Sequence, residues 1–166
     1  ETVLNAVMTA SYAITGRWTE EYEDIDIRRA RRVLAEWDLS EHADKAFGTL
    51  SDGERKRVQL ARSVMTDPEL LLLDEPVASL DLGAREQTVQ VLGAYASSPA
   101  APSMVMVTHH LEEIPQGFTH AMLLNEGSVV AQGQIDAILT SDLLSETFGF
   151  DLNVTKTDGR FQVRSR

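Results

Sequence analysis

Four consecutive leucines, Leu70–Leu73, run straight into Asp74-Glu75-Pro76, and no other stretch narrows the possible folds so far. A half-buried strand alternates apolar and polar side chains. A run that is apolar at every position needs cover on both faces, as a central strand of a helix-flanked parallel sheet has. A second such run, Met104–Thr108 (MVMVT), follows a helix-length segment at 84–96 and a loop at Ser97–Pro102. Strand, helix and strand in that order predict an α/β fold built on a parallel sheet.

Upstream the pattern is helical. Residues 2–14 are long and apolar enough for a helix, and Gly16 to Glu23 reads as a polar and aromatic connection. Asp24 or Asp26 can cap a helix running to about Trp37, with Ile27, Ala30, Leu34 and Trp37 at helical spacing. A short turn follows around Glu41–Ala46 and ends near Gly48. Ser51-Asp52-Gly53-Glu54 fits a capping box, in which Ser and a Glu three residues on satisfy each other's backbone N–H. That helix should reach Met65, where Thr66-Asp67-Pro68 stops it because proline cannot continue the ladder. Downstream, Ala121–Leu124 and Ser128–Ala131 flank Asn125-Glu126-Gly127 as a hairpin. Two short helices (Ile135–Leu139, Leu143–Phe148) and a small hairpin about Asp158-Gly159 complete the chain, with Val154–Thr155 and Phe161–Val163 as its strands. The change from helices to α/β alternation falls near residue 67.

Composition excludes some classes. No apolar run approaches the roughly 20 residues needed to span a bilayer. The formal charge of −11 argues against non-specific nucleic-acid binding, which needs clustered Lys and Arg. The local clusters Arg28, Arg29, Arg31, Arg32 and Arg55-Lys56-Arg57 lie in predicted helices and read as solvated faces. Without cysteine there is no disulfide scaffold and no Cys-ligated metal. The start carries neither a basic n-region nor a cleavage site and opens on Glu1, so it reads as an internal piece of a cytoplasmic protein.

Several residues carry candidate chemistry. A helix N-terminus offers unpaired N–H groups and the positive end of the helix dipole to an anion. Ser51 adds a hydroxyl there, and Gly53 lets the backbone come close because it has no Cβ. Taken alone, Ser51–Glu54 is also an ordinary cap. Asp74 and Glu75 end a strand whose C-terminus, in α/β folds, faces the ligand crevice. Ser79-Leu80-Asp81 is a common turn type that gains meaning only from following Glu75 so closely. His109 follows the second strand directly, with His110 as its competitor, whereas His42 and His120 read as structural or merely exposed.

Together, LSDGERKRVQLARSVMTDPELLLLDEP and VASLD (Leu50–Asp81) resemble the signature motif, Walker B strand and D-loop of the ATP-binding cassette (ABC) ATPases, and His109 resembles their switch histidine. The usual signature is Leu-Ser-Gly-Gly-Gln, from which Asp52 and Glu54 depart. The resemblance implies an α/β P-loop NTPase fragment: a helical subdomain (1–66), the C-terminal part of the RecA-like catalytic core (67–150) and a small terminal hairpin (151–166). It implies that Ser51, Asp52, Gly53 and Glu54 meet ATP held by a second nucleotide-binding subunit, with Asp81 as the D-loop aspartate of that dimer. Asp74 would help hold Mg²⁺, Glu75 would act on the attacking water, and His109 would reach the γ-phosphate. The implied function is the ATP-hydrolysing subunit of an ABC transporter, homodimeric, docked on transmembrane permease subunits at the inner face of the membrane. No direct nucleic-acid partner is expected. The alternative is a soluble ABC ATPase acting on ribosomes or DNA. Residues from Val107 to Gly133 look like those of stand-alone cassettes grouped with metal-chelate or iron-complex importers.

The phosphate-binding pattern Gly-x-x-x-x-Gly-Lys-Ser/Thr does not occur in the sequence. ATP and Mg²⁺ are therefore expected to bind productively only with that missing Walker A part. The piece alone is expected to be inactive and to leave an apolar sheet edge open to pairing.

Overall fold

A computed structural model describes residues 1–12 and 24–166. The connection expected at Gly16–Glu23 and the last residues of the helix expected over 2–14 lie outside the described residues. The described chain forms two compact units, Glu1–Val107 and Thr108–Arg166.

In the first unit, helix α1 spans Val3–Met8, its start capped by the Thr2 hydroxyl, which accepts from Asn5 N–H at 3.2 Å. It is shorter than expected. Buried Thr9 turns its hydroxyl onto the Ala6 carbonyl (2.9 Å), and the chain tightens into a 3₁₀ turn over Thr9–Tyr12. Helix α2 (Asp24–Glu36) buries Ala30, Val33 and Leu34, and α3 (Asp52–Met65) buries Val58, Leu60, Ala61, Val64 and Met65. These faces meet α1 in one core that also takes in Trp37 and Leu39. The Trp37 ring stands 5.1 Å from that of Tyr95 on helix α4 (Leu82–Ala96).

Strand β1 (Leu70–Asp74) pairs in parallel with β2 (Ser103–Val107), in register from Leu70↔Ser103 to Asp74↔Val107, with α4 between them in sequence. The expectation of cover on both faces is corrected here. Leu71 and Leu73 are buried in the helical core, but Leu70 and Leu72 are 51% and 68% exposed, beside exposed Val105 and Val107. Among the described residues of the first unit nothing lies over that second face, so the run is apolar on a side that this unit's described residues leave open. Leu72→Lys is accordingly expected to change unfolding free energy by no more than about 0.5 kcal/mol while reducing self-association, since lysine discourages sheet-to-sheet contact. Sedimentation velocity at high concentration, alongside urea unfolding, checks both halves of that expectation.

The second unit is built from two hairpins and two short helices. Strands β3 (His120–Asn125) and β4 (Ser128–Gln134) turn at Glu126 and Gly127, both with positive φ (48° and 75°), as a tight two-residue hairpin requires. Helices α5 (Ile135–Ile138) and α6 (Ser141–Phe148) follow, then strands β5 (Leu152–Thr157) and β6 (Arg160–Ser165). Phe161 of β6 shares a core with Leu123, Ile138, Leu139 and Leu144, so the terminal hairpin is packed into this unit. No helix among the described residues is long and apolar enough to cross a membrane.

Candidate functional site

The capping box expected at the start of α3 is present. Ser51 Oγ accepts from Glu54 N–H at 3.3 Å, while Glu54 Oε2 accepts from Ser51 N–H at 2.7 Å and from Ser51 Oγ at 2.9 Å. The other carboxylate oxygen, Oε1, is 2.5 Å from His42 Nε2, delivered by a 3₁₀ turn over Ser40–His42. Bonds from the Ser51 backbone and then its side chain, reinforced by His42 against the opposing effect of burial, lower the Glu54 pKa from 4.5 to about 2. A carboxylate favoured by the fold stabilises it above its ordinary pKa and loses that contribution as pH falls through the folded value. Stability should therefore drop between pH 4.5 and about 2, and Glu54→Gln should flatten that part of a urea-unfolding series.

Gly53 has a packing reason that the sequence did not show. A Cβ built there would lie 2.6 Å from the Ala84 Cβ, so the first turn of α3 presses directly on the first turn of α4. Ala84 in turn gives its N–H to Asp81 Oδ1 (2.9 Å), which caps α4. The signature segment and Asp81 thus meet at one residue. Asp52 is exposed and pairs with Arg55 at 3.3 Å.

Arg57 corrects another expectation, that the Arg55-Lys56-Arg57 cluster is solvated. It is only 3% exposed, and its Nη1 donates to Gln87 Oε1 at 3.0 Å. Gln87 Nε2 donates in turn to Asp38 Oδ2 at 3.0 Å. Burial lowers the Arg57 pKa, and the charges of Asp38 and Glu54 pull the other way. The signal was available: buried Gly53, Arg57, Leu60, Ala61 and Val64 fall at one helical spacing. His42, Arg57 and Glu54 also line a cleft of about 500 Å³.

Asp74 and Glu75 sit at the C-terminal end of β1. Glu75 extends the sheet by giving its N–H to the Val107 carbonyl at 2.9 Å, and its φ of 43° turns the chain sharply away from the strand. Pro76 and Val77 are then buried, and Ser79 makes a second left-handed bend (φ 66°) before Asp81 opens α4. The Asp74 side chain is exposed at the strand end. Among the described residues no three His, Asp or Glu converge into a metal cage. A single open carboxylate instead suits Mg²⁺, which keeps waters and is held by one or two carboxylates plus substrate phosphates.

His109 belongs to the second unit, where the residues on either side of it are anchored. Thr108 Oγ1 donates to Glu113 Oε2 at 2.7 Å and accepts from His110 N–H at 3.1 Å. Glu113 is 5% exposed, a buried carboxylate that the sequence reading did not single out. His109 itself is exposed. Ser51, Gly53, Glu54, Asp74, Glu75 and Asp81 all lie in the first unit.

Residues 3–78 match the family described as ABC transporter. The uncharacterized ABC transporter ATP-binding protein YlmA of Bacillus subtilis is 37% identical over 154 residues, which cover 93% of this chain and 58% of YlmA. A Chlamydia trachomatis protein assigned to a metal transport system as its ATP-binding protein is 31% identical, over 92% of this chain and 58% of its own length. A solved structure of an ABC transporter assigned to the metal-chelate type, facing inward, superposes with a TM-score of 0.76 at 25% identity, over 99% of this chain and 65% of that one. The chain thus spans somewhat more than half the length of the curated relatives it matches. Sequence, fold and the order of its motifs agree: the chain belongs to the ATP-binding domains of ABC transporters, with the α/β fold of P-loop NTPases.

Proposed function

We propose that this chain supplies two parts of the machinery of an ABC transporter's ATP-hydrolysing subunit. One is the signature turn, Ser51–Glu54, offered to ATP held by a second subunit. The other is the pair of carboxylates that serve metal and water. The observation that carries this reading is the corner at Ala84, where Gly53 at the start of α3 and the Asp81 cap of α4 meet. A helix start whose position is fixed against the neighbouring helix can present its N–H groups and the Ser51 hydroxyl to a phosphate without first being ordered.

In this reading Asp74 holds Mg²⁺ together with phosphate oxygens and water, and the ion supplies neutralisation of phosphate charge. Glu75, aimed by the bend at its own backbone, orients or deprotonates the attacking water. His109, between the anchored Thr108 and His110, reaches the γ-phosphate. Asp81 communicates across the subunit pair. The likeness to metal-type transport proteins supports a membrane-docked subunit working at the inner face of the membrane with permease partners.

The complete product of the gene, isolated from its own cells, should hydrolyse ATP in a Mg²⁺-dependent way and co-purify with membrane proteins. The 166-residue chain alone should not turn ATP over. An inactive complete product would overturn the enzyme reading, and turnover by the isolated chain would overturn the division of labour between its residues and a separate phosphate-binding part.

A further inference from the structure

The Glu54 carboxylate stands in the first turn of α3, where a negative charge opposes the arrival of a phosphate. Both of its oxygens are occupied. Oε2 takes the Ser51 N–H and hydroxyl, at 2.7 and 2.9 Å, and Oε1 takes His42 Nε2 at 2.5 Å. The His42 side chain is 17% exposed, so the contact is partly withdrawn from water. Its other ring nitrogen, Nδ1, is buried and has no hydrogen-bond partner among the described residues. The ring's one polar commitment within the described fold is to Glu54.

We propose that His42 is a positioning residue for the signature turn: it holds the Glu54 carboxylate back against Ser51, so that an incoming phosphate meets the helix amides and the Ser51 hydroxyl. This rests on the reading of Ser51–Glu54 as a phosphate-facing turn. A carboxylate released from His42 keeps its charge and can swing towards the anion. A side-chain amide at the same position carries no charge to restrain. The effect of losing His42 must then depend on what stands at position 54, which a purely structural histidine would not show.

The test uses the complete gene product in four forms: unchanged, His42→Ala, Glu54→Gln and the double substitution, with kcat and KM for ATP measured on each. Removing His42 is expected to lower kcat/KM about 10-fold when Glu54 is present and less than about 2-fold in the Glu54→Gln background, a coupling within the range seen for residues in contact. His42→Gln, which keeps a donor, should retain most of the activity. On the 166-residue chain, the Glu54 carboxyl followed by carbon NMR should titrate near 2 and move upward in His42→Ala. Equal losses in both backgrounds, no loss at all, or an unmoved Glu54 titration would each overturn the proposal while leaving the signature reading intact. Loss of all turnover in Glu54→Gln itself would also overturn it, since the turn would then be using the carboxylate's charge. An inactive unchanged protein would bring down the signature reading and this inference together.

Discussion

Glu75→Gln in the complete gene product is expected to slow ATP hydrolysis at least about 100-fold while leaving ATP affinity within a few-fold, the loss typical of removing a general base. Gln matches Glu in size and keeps an N–H to give to the Val107 carbonyl, so the extension of the sheet at 2.9 Å survives. What disappears is a carboxylate able to accept a proton from water. Adjacent Asp74, which would hold the metal with the phosphates, is untouched, and that is why binding should persist. Steady-state turnover and nucleotide-binding titration, made on the same preparation, separate the two. Retention of more than a tenth of the rate would remove Glu75 from the chemical step.

Gly53→Ala is expected to destabilise the first unit by about 1–3 kcal/mol, the usual cost of forcing a methyl group into a filled space. The new Cβ would lie 2.6 Å from the Ala84 Cβ, and neither atom belongs to a flexible side-chain end that could swing aside. The helices must separate at their first turns, and the signature turn would move off the corner it shares with Asp81. Ala84→Gly provides the control. In the double substitution the nearest remaining atom is the Ala84 Cα, at an ordinary 3.5 Å, so most of the loss should return. The helix-propensity effects of gaining one alanine and losing another, each about 1 kcal/mol, nearly cancel. Urea unfolding of the four proteins measures the recovery, and independent, additive losses would contradict the contact.

The parts of this fold that were legible in the sequence are those governed by neighbours along the chain. The Ser51–Glu54 capping box, the stop before Pro68, the β1–α4–β2 order and the turns at Glu126-Gly127 and Asp158-Gly159 depend on residues within a few positions of each other. What escaped depends on distant segments. His42 is 12 residues from Glu54, and Gly53 meets Ala84 across an intervening strand and loop. Arg57 was misread because charge was allowed to outweigh helical position: it shares the inward face of Gly53 and Leu60, and its guanidinium finds Gln87 there. The leucines of β1 taught the opposite lesson. Their pattern describes a strand covered on both faces, and the described residues of the first unit bury only one of them. The candidate motif residues were picked out by type and order. Why Gly53 stands where it does, pressed on Ala84, and that a buried Glu113 anchors Thr108, came from packing.

The passage from β1 to α4 bends twice into the left-handed region, at Glu75 (φ 43°) and Ser79 (φ 66°), and at neither place is the residue glycine. Side-chain-bearing residues sit there at a cost of roughly 1–2 kcal/mol each. That cost is met once, when the protein folds. Glu75→Gly would relax the bend and make the molecule sturdier, yet it would delete the carboxylate proposed to act on water. With Glu75 in its proposed role, resistance to heat and speed of turnover pull in opposite directions at this one residue, and a screen of the complete gene product for thermal tolerance alone would be expected to select against turnover.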